Sequence, residues 1–235
     1  MKILFFSGGR ACGWLKNPAI YAAAAVLCIL LESIPAFDRL FQTPFFHDGS
    51  WLLSKAFHAA WKPVLYTGPK IIIGIIGGGF FLFWAAMFFR REKSAFLSSW
   101  RKPALLVALS LAIVPASVAA LKAISGVYGP IDLLPYGGRF PHTGLLEQLW
   151  LHGHPGGGRS FPAGHASGGF ALCALYYLPV SKVCKKMLFT SGLAAGWLMG
   201  LYQMGRGEHF LSHTLTTMFI ALAAITWLAR RLRLS

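Results

Sequence analysis

The chain is 235 residues long, 56% hydrophobic and only 12% charged, about half of the roughly 25% charged fraction of soluble domains. This composition excludes an ordinary soluble domain and points to a membrane protein. The net charge of +15 suggests nucleic acid at first sight, but Lys and Arg collect at one set of helix ends, which argues against a nucleic-acid partner.

Six apolar stretches, at about 18–37, 70–89, 103–124, 164–181, 186–205 and 210–229, each approach the roughly 20 residues that a spanning helix needs. The expected fold is therefore all-α: one polytopic membrane domain over residues 1–235 with six transmembrane helices. Lys2, Arg10 and Lys16 precede the first stretch, which is long and has no obvious small-residue cleavage site. It reads as a retained helix rather than a signal peptide.

Basic residues mark the orientation. The N-terminal tail holds three, Arg90 to Lys102 five, Lys182 to Lys186 three and Arg230 to Arg233 three, together fourteen of the twenty-two. By the positive-inside rule these alternate connections, and both termini, are cytoplasmic. All eight histidines (47, 58, 142, 152, 154, 165, 209 and 213) fall in or beside the outward-facing segments, as do Asp48, Asp132, Glu147 and Glu208. Chemistry is expected outside the cytoplasm.

The first outward segment, about 38–69, mixes Phe45, Phe46, Trp51, Leu52, Phe57 and Trp61 with polar residues, a pattern suited to an interfacial helix. Gly77, Gly78 and Gly79 sit mid-helix, where close helix packing is their expected use. The second outward segment, Ser125 to Phe161, is rich in Gly and Pro and longer than a plain connector, and loops of that length are often functional. Within it His142, His152 and His154 are read as solvated or as lining a substrate entrance. Asp132 is read as a turn cap and Trp150 as an interfacial anchor. Cys12, Cys28, Cys173 and Cys184 lie where no oxidising compartment would pair them, and no Cys or His spacing suggests structural zinc.

Placed on this topology, the polar residues converge. Lys122 ends helix three at the outer face, Gly164 and His165 open helix four from that face, and Arg206 and His209 open helix six. Arg159 stands just ahead of helix four. Helix N-termini offer unpaired N–H groups and a positive dipole end to an anion, phosphate above all. Histidine serves as nucleophile or as general acid and base near neutral pH. Such a set suits phosphoryl transfer, in which positioning and charge neutralisation carry most of the catalysis.

At these residues the chain resembles the type 2 phosphatidic acid phosphatase superfamily, whose motifs run Lys-x6-Arg-Pro, Pro-Ser-Gly-His and Ser-Arg-x5-His-x3-Asp. The first reads KAISGVYGP, Lys122 to Pro130, with Gly129 for the arginine. The second reads PAGH, Pro162 to His165, with Ala163 for the serine. The third reads MGRGEHFLSH, Met204 to His213. With His209 as the motif histidine, His213 falls at the aspartate and Gln203 at the arginine. The alternative register takes His213 as that histidine, leaving Gly207 and Thr217 at the arginine and aspartate positions. The motif core covers residues 122–213.

The resemblance implies a lipid phosphatase, or phosphotransferase, acting on a phosphomonoester or diphosphate of an envelope lipid in a bacterial inner membrane. The bilayer and a membrane lipid phosphate are its expected partners. His209 would form a phosphohistidine and His165 would protonate the departing oxygen. Lys122, Arg159, Gly164 and Arg206 would hold the phosphate, and no metal or other cofactor would be needed. His213 joins the catalytic set at the position of the missing aspartate, and Glu208 or Asp132 is the other carboxylate expected to orient His209. Two competing readings are a rhomboid-type intramembrane serine protease built on Ser167 and a non-catalytic anion or lipid transporter.

Overall fold

The computed structural model describes residues 17–89, 94–151 and 158–234. Among them the chain is all-α apart from one short hairpin. Each expected apolar stretch is occupied by helix, though with different bounds. The elements are α1 (Pro18–Glu32), α2 (Pro35–Gln42), β1 (Phe46–His47), β2 (Ser50–Trp51), α3 (Lys55–Lys62), α4 (Gly68–Phe89), α5 (Ala95–Ser125), α6 (Leu145–Leu151), α7 (Gly164–Ala171), α8 (Lys182–Gly205) and α9 (Leu211–Arg231).

Local chemistry starts several of these helices. Asn17 accepts from the Ala19 N–H ahead of α1, Ser54 from Phe57 ahead of α3, and Ser181 from Cys184 ahead of α8. Each satisfies an N–H that a helix start leaves without an internal partner. The first stretch does not run straight: α1 and the segment Pro35–Phe45 meet at a bend of 89°. Pro35 disfavours helical geometry in the residue before it, Ile34. The segment after it is partly regular, with β1 and β2 joined through Asp48 and Gly49 at positive φ, the residue pair that a tight hairpin turn favours.

Lys55–Phe89, Ala95–Ser125 and Leu211–Arg231 are long and apolar enough to cross a membrane, and the bent pair at the start is a fourth candidate. Only 6% of the apolar window in Lys55–Phe89 is buried within the protein, so this helix turns an almost complete hydrophobic surface outward, as one facing lipid does. The fourth expected stretch departs most from a regular helix. It is α-helical for eight residues and then tightens into a 3-10 segment, Leu172–Tyr177.

The centre of the fold is α7, which packs against α5, α8 and α9, while α9 lies along α1. Val114, Ala163, Ala166, Phe170, Ala171 and Ala221 form the buried cluster around it. On α8, Gly192, Gly196 and Gly200 recur every fourth residue and face, respectively, the Cys173 backbone, the Phe170 ring and the Thr214 side chain. Small residues at this spacing let helices approach closely in a membrane. The mid-helix glycines of α4 do less than expected: a Cβ at Gly77 would touch Leu111, but Gly78 and Gly79 face open space.

Candidate active site

The C-terminal ends of α5 and α8 and the N-terminal ends of α7 and α9 meet around a cavity of about 460 Å³ lined by His58, Lys62, Tyr66, Lys70, Lys122, Gly129, Asp132, Arg159, Ser160, Gly164, His165, Gln203, Arg206, Glu208 and His209. Six of the seven expected site residues are therefore brought together: Lys122, Arg159, Gly164, His165, Arg206 and His209. The seventh, His213, is not among the lining residues. It is fully buried in the first turn of α9.

Lys122 comes from the last turn of α5, and its Nζ lies 3.9 Å from where a Cβ would stand on Gly164, the first residue of α7. The absence of a side chain at Gly164 lets the ammonium approach the helix start. Two strands of chain then tie the motifs together. Gly126 pairs with Gly158 as an isolated bridge, and Ser160 N–H donates to Val127 O at 2.8 Å, so the segment carrying Arg159 is fixed beside the end of α5.

Gly129, at the motif arginine, cannot carry a side chain in this arrangement. A Cβ there would stand 2.7 Å from the Glu208 carbonyl oxygen and 3.0 Å from Ser160 Oγ. The other motif arginine is also displaced. Arg206 donates to Gln203 Oε1 at 2.7 Å and pairs with Glu208 Oε1 at 3.0 Å. The glutamine at the motif position thus holds an arginine three residues further on, a neighbouring position on a helical turn.

His209 lies between α8 and α9, 4% exposed. Its Nδ1 is 3.0 Å from Ser160 Oγ, which donates its own proton to the Glu208 carbonyl. The hydroxyl can then only accept from the ring, so His209 carries its proton on Nδ1 and leaves a lone pair on Nε2. His213 Nδ1 approaches the same hydroxyl at 3.4 Å. Neither expected carboxylate orients His209: Glu208 turns to Arg206, and Asp132 lines the cavity without a hydrogen bond to the ring. Burial, then the neighbouring His213 and Lys122, holds the His209 imidazole well below its ordinary 6.5 and keeps it neutral.

The loop holding His209 is braced from the segment between α2 and α3 and from α2 itself. Gly207 has φ +75°, and a Cβ there would run into the Trp51 ring of β2 at 2.4 Å. Leu53 N–H donates to Gly205 O, and Ile131 N–H to Gly207 O. Asp38, fully buried on α2, accepts from Ser212 N–H at 3.1 Å and from the Ser212 hydroxyl at 2.5 Å. It supplies the cap that Phe210 cannot give α9.

Four lining residues were not anticipated: His58, Lys62, Tyr66 and Lys70 of α3, α4 and the turn between them. Their spacing of four residues was the available signal. Ser160 was likewise missed, since only packing puts a serine beside a histidine 49 positions away. Of the weaker candidates, His142 is packed on Phe210, ring centroids 5.1 Å apart, and does not line the cavity. Trp150 is 88% exposed, whereas His152 and His154 lie outside the described residues. Ser167 is 2% exposed and donates to Gly164 O at 2.7 Å, which leaves it no role as a cavity nucleophile. Among the described residues no three His, Cys, Asp or Glu side chains gather as metal ligands, and Cys28, Cys173 and Cys184 are free thiols.

Comparison with known proteins adds one match. The family model described as PAP2 superfamily covers residues 103–234. No curated protein and no solved structure matches the chain.

Proposed function

The chain belongs to the PAP2 superfamily, whose membership supports a phosphatase-type activity, and from that premise we propose that it is a membrane-embedded lipid phosphatase working through His209. The observation that carries this reading is the convergence of Lys122, Arg159, Arg206, His165 and His209 on one cavity at the start of α7. The lone pair on His209 Nε2 attacks phosphorus, and the bond to the lipid oxygen breaks. That oxygen leaves with its electron pair and takes a proton from His165. Water then attacks the phosphohistidine, His165 takes the water proton, and inorganic phosphate departs. Lys122, Arg159, Arg206 and the N–H groups opening α7 neutralise the phosphoryl oxygens throughout.

In this reading six helical segments cross a bacterial inner membrane, both termini are cytoplasmic and the cavity faces outward at headgroup depth. A site at that depth meets phosphates carried on lipids, and an envelope lipid is the natural substrate. Purified protein in detergent should release phosphate from such lipids, with His209→Ala and His165→Ala each close to background. If both variants retain the wild-type rate, the reading is wrong.

A further inference from the structure

The residues of the cavity fall into two groups. Lys122, Arg159, Arg206, His165 and His209 come from the segments that carry the three motifs. His58, Lys62, Tyr66 and Lys70 come from one continuous helical run ahead of them, at intervals of four residues. A regular α-helix overshoots by about 40° at each four-residue step, so such a stripe would drift away from the cavity. Between α3 and α4, however, Pro63–Thr67 is a π turn in which Gly68 N–H reaches back to Pro63 O. The wider turn takes up the overshoot. Single π turns inside helices are frequent at functional sites. Pro69 accounts for its position, because it cannot donate to Leu65 and its ring crowds that carbonyl.

The stripe adjoins the general acid of the proposed reaction. Tyr66 stacks on His165 with ring centroids 4.3 Å apart and planes 9° from parallel, and Lys70 Nζ lies 4.1 Å from the centre of the Tyr66 ring. His165 marks the leaving-group side. An alcohol leaving from a phosphomonoester is neutral and has no use for two lysines. A phosphate leaving from a diphosphate carries negative charge, which Lys62 and Lys70 would neutralise. Five cations against two acids, Asp132 and Glu208, suit a substrate with more charge than one phosphate. Cavities of about 300–1,000 Å³ accommodate ligands of drug size, so 460 Å³ exceeds the needs of a single phosphate.

We propose that the His58, Lys62, Tyr66 and Lys70 stripe is a second anion subsite that holds the leaving phosphate of a lipid diphosphate. This rests on the phosphatase reading above. His209 attacks the terminal phosphorus, the bridging P–O bond breaks, and the bridging oxygen leaves on the lipid monophosphate with the proton from His165. Water then releases the terminal phosphate from His209.

The test compares a lipid monophosphate and a lipid diphosphate with the same tail, in detergent, for wild type, Lys62→Gln, Lys70→Gln, the double variant and Lys55→Gln, whose side chain is outside the cavity. Binding of inorganic pyrophosphate against inorganic phosphate is measured by calorimetry on the same proteins. The expected result is a wild-type preference for the diphosphate in kcat/KM that falls about tenfold or more in the double variant, the scale of lost charge-assisted hydrogen bonds. Pyrophosphate affinity should fall in parallel, and Lys55→Gln should change neither. Turnover with an unchanged preference and unchanged pyrophosphate binding overturns the subsite. Pyrophosphate binding that depends on both lysines, without turnover of either lipid, upholds the subsite and overturns the phosphatase reading instead.

Discussion

Ser160 Oγ stands 3.0 Å from Nδ1 of His209, and His213, at the motif position of the aspartate, approaches the same hydroxyl at 3.4 Å. A hydroxyl that spends its own proton on the Glu208 carbonyl can fix the ring and its tautomer as an aspartate does, but contributes no charge to stabilise an imidazolium. In the proposed reaction Ser160 is therefore a positioning residue, acting through His209. Ser160→Ala is expected to lower kcat by about 10- to 100-fold, the range of a lost hydrogen bond at a buried polar group, with KM little changed. Steady-state kinetics on a lipid phosphate checks this, and an unchanged kcat would remove Ser160 from the mechanism.

The pH dependence follows from burial. In the proposed reaction neutral His209 is the nucleophilic form, and burial holds it well below 6.5, so the acid limb of kcat/KM should fall below pH 6.5. Folding stability carries the same sign. His209 and His142, the latter lowered to about 4 chiefly by burial, bind protons more readily in the unfolded chain. Stability is then fully present above 6.5 and declines as pH falls from 6.5 toward 4. Melting in detergent across pH 4–8 should show that decline, and His142→Gln should flatten part of it.

Restoring the motif at Gly129 should fail. Gly129→Arg places a Cβ 2.7 Å from the Glu208 carbonyl oxygen, so the backbone next to His209 must shift. Activity should drop rather than rise, with a lower melting midpoint. A gain in kcat/KM would mean that the loop yields more easily than its packing implies.

Asp38→Ala removes the buried cap of α9. Ser212 loses its acceptors for both N–H and hydroxyl, at a cost of about 1–3 kcal/mol. Because α9 begins two residues after His209, activity should fall together with thermal stability. Asp38→Asn, which keeps one acceptor oxygen, should recover part of both. Equal losses in the two variants would count against capping.

Much of this protein is legible in its sequence because the governing signals are local. Apolar length picks out the helical segments, and motif order puts Lys122, Gly164, His165, Arg206 and His209 at helix ends that share one face. Helix interiors resist such reading where packing intervenes, as in the 3-10 segment Leu172–Tyr177. Motif spacing alone also left His213, Glu208 and Asp132 as candidates to orient His209.

The sequence by itself determined an all-α membrane chain and which motif residues gather, because hydrophobic length and helix-end position depend on neighbours in the chain. Only the tertiary structure decided what completes the site. Ser160 meets His209 across 49 residues, Asp38 caps Ser212 across 174, and the stripe of α3 and α4 faces the motif histidines through a π turn. These contacts depend on how distant segments pack, and neither composition nor periodicity carries that information.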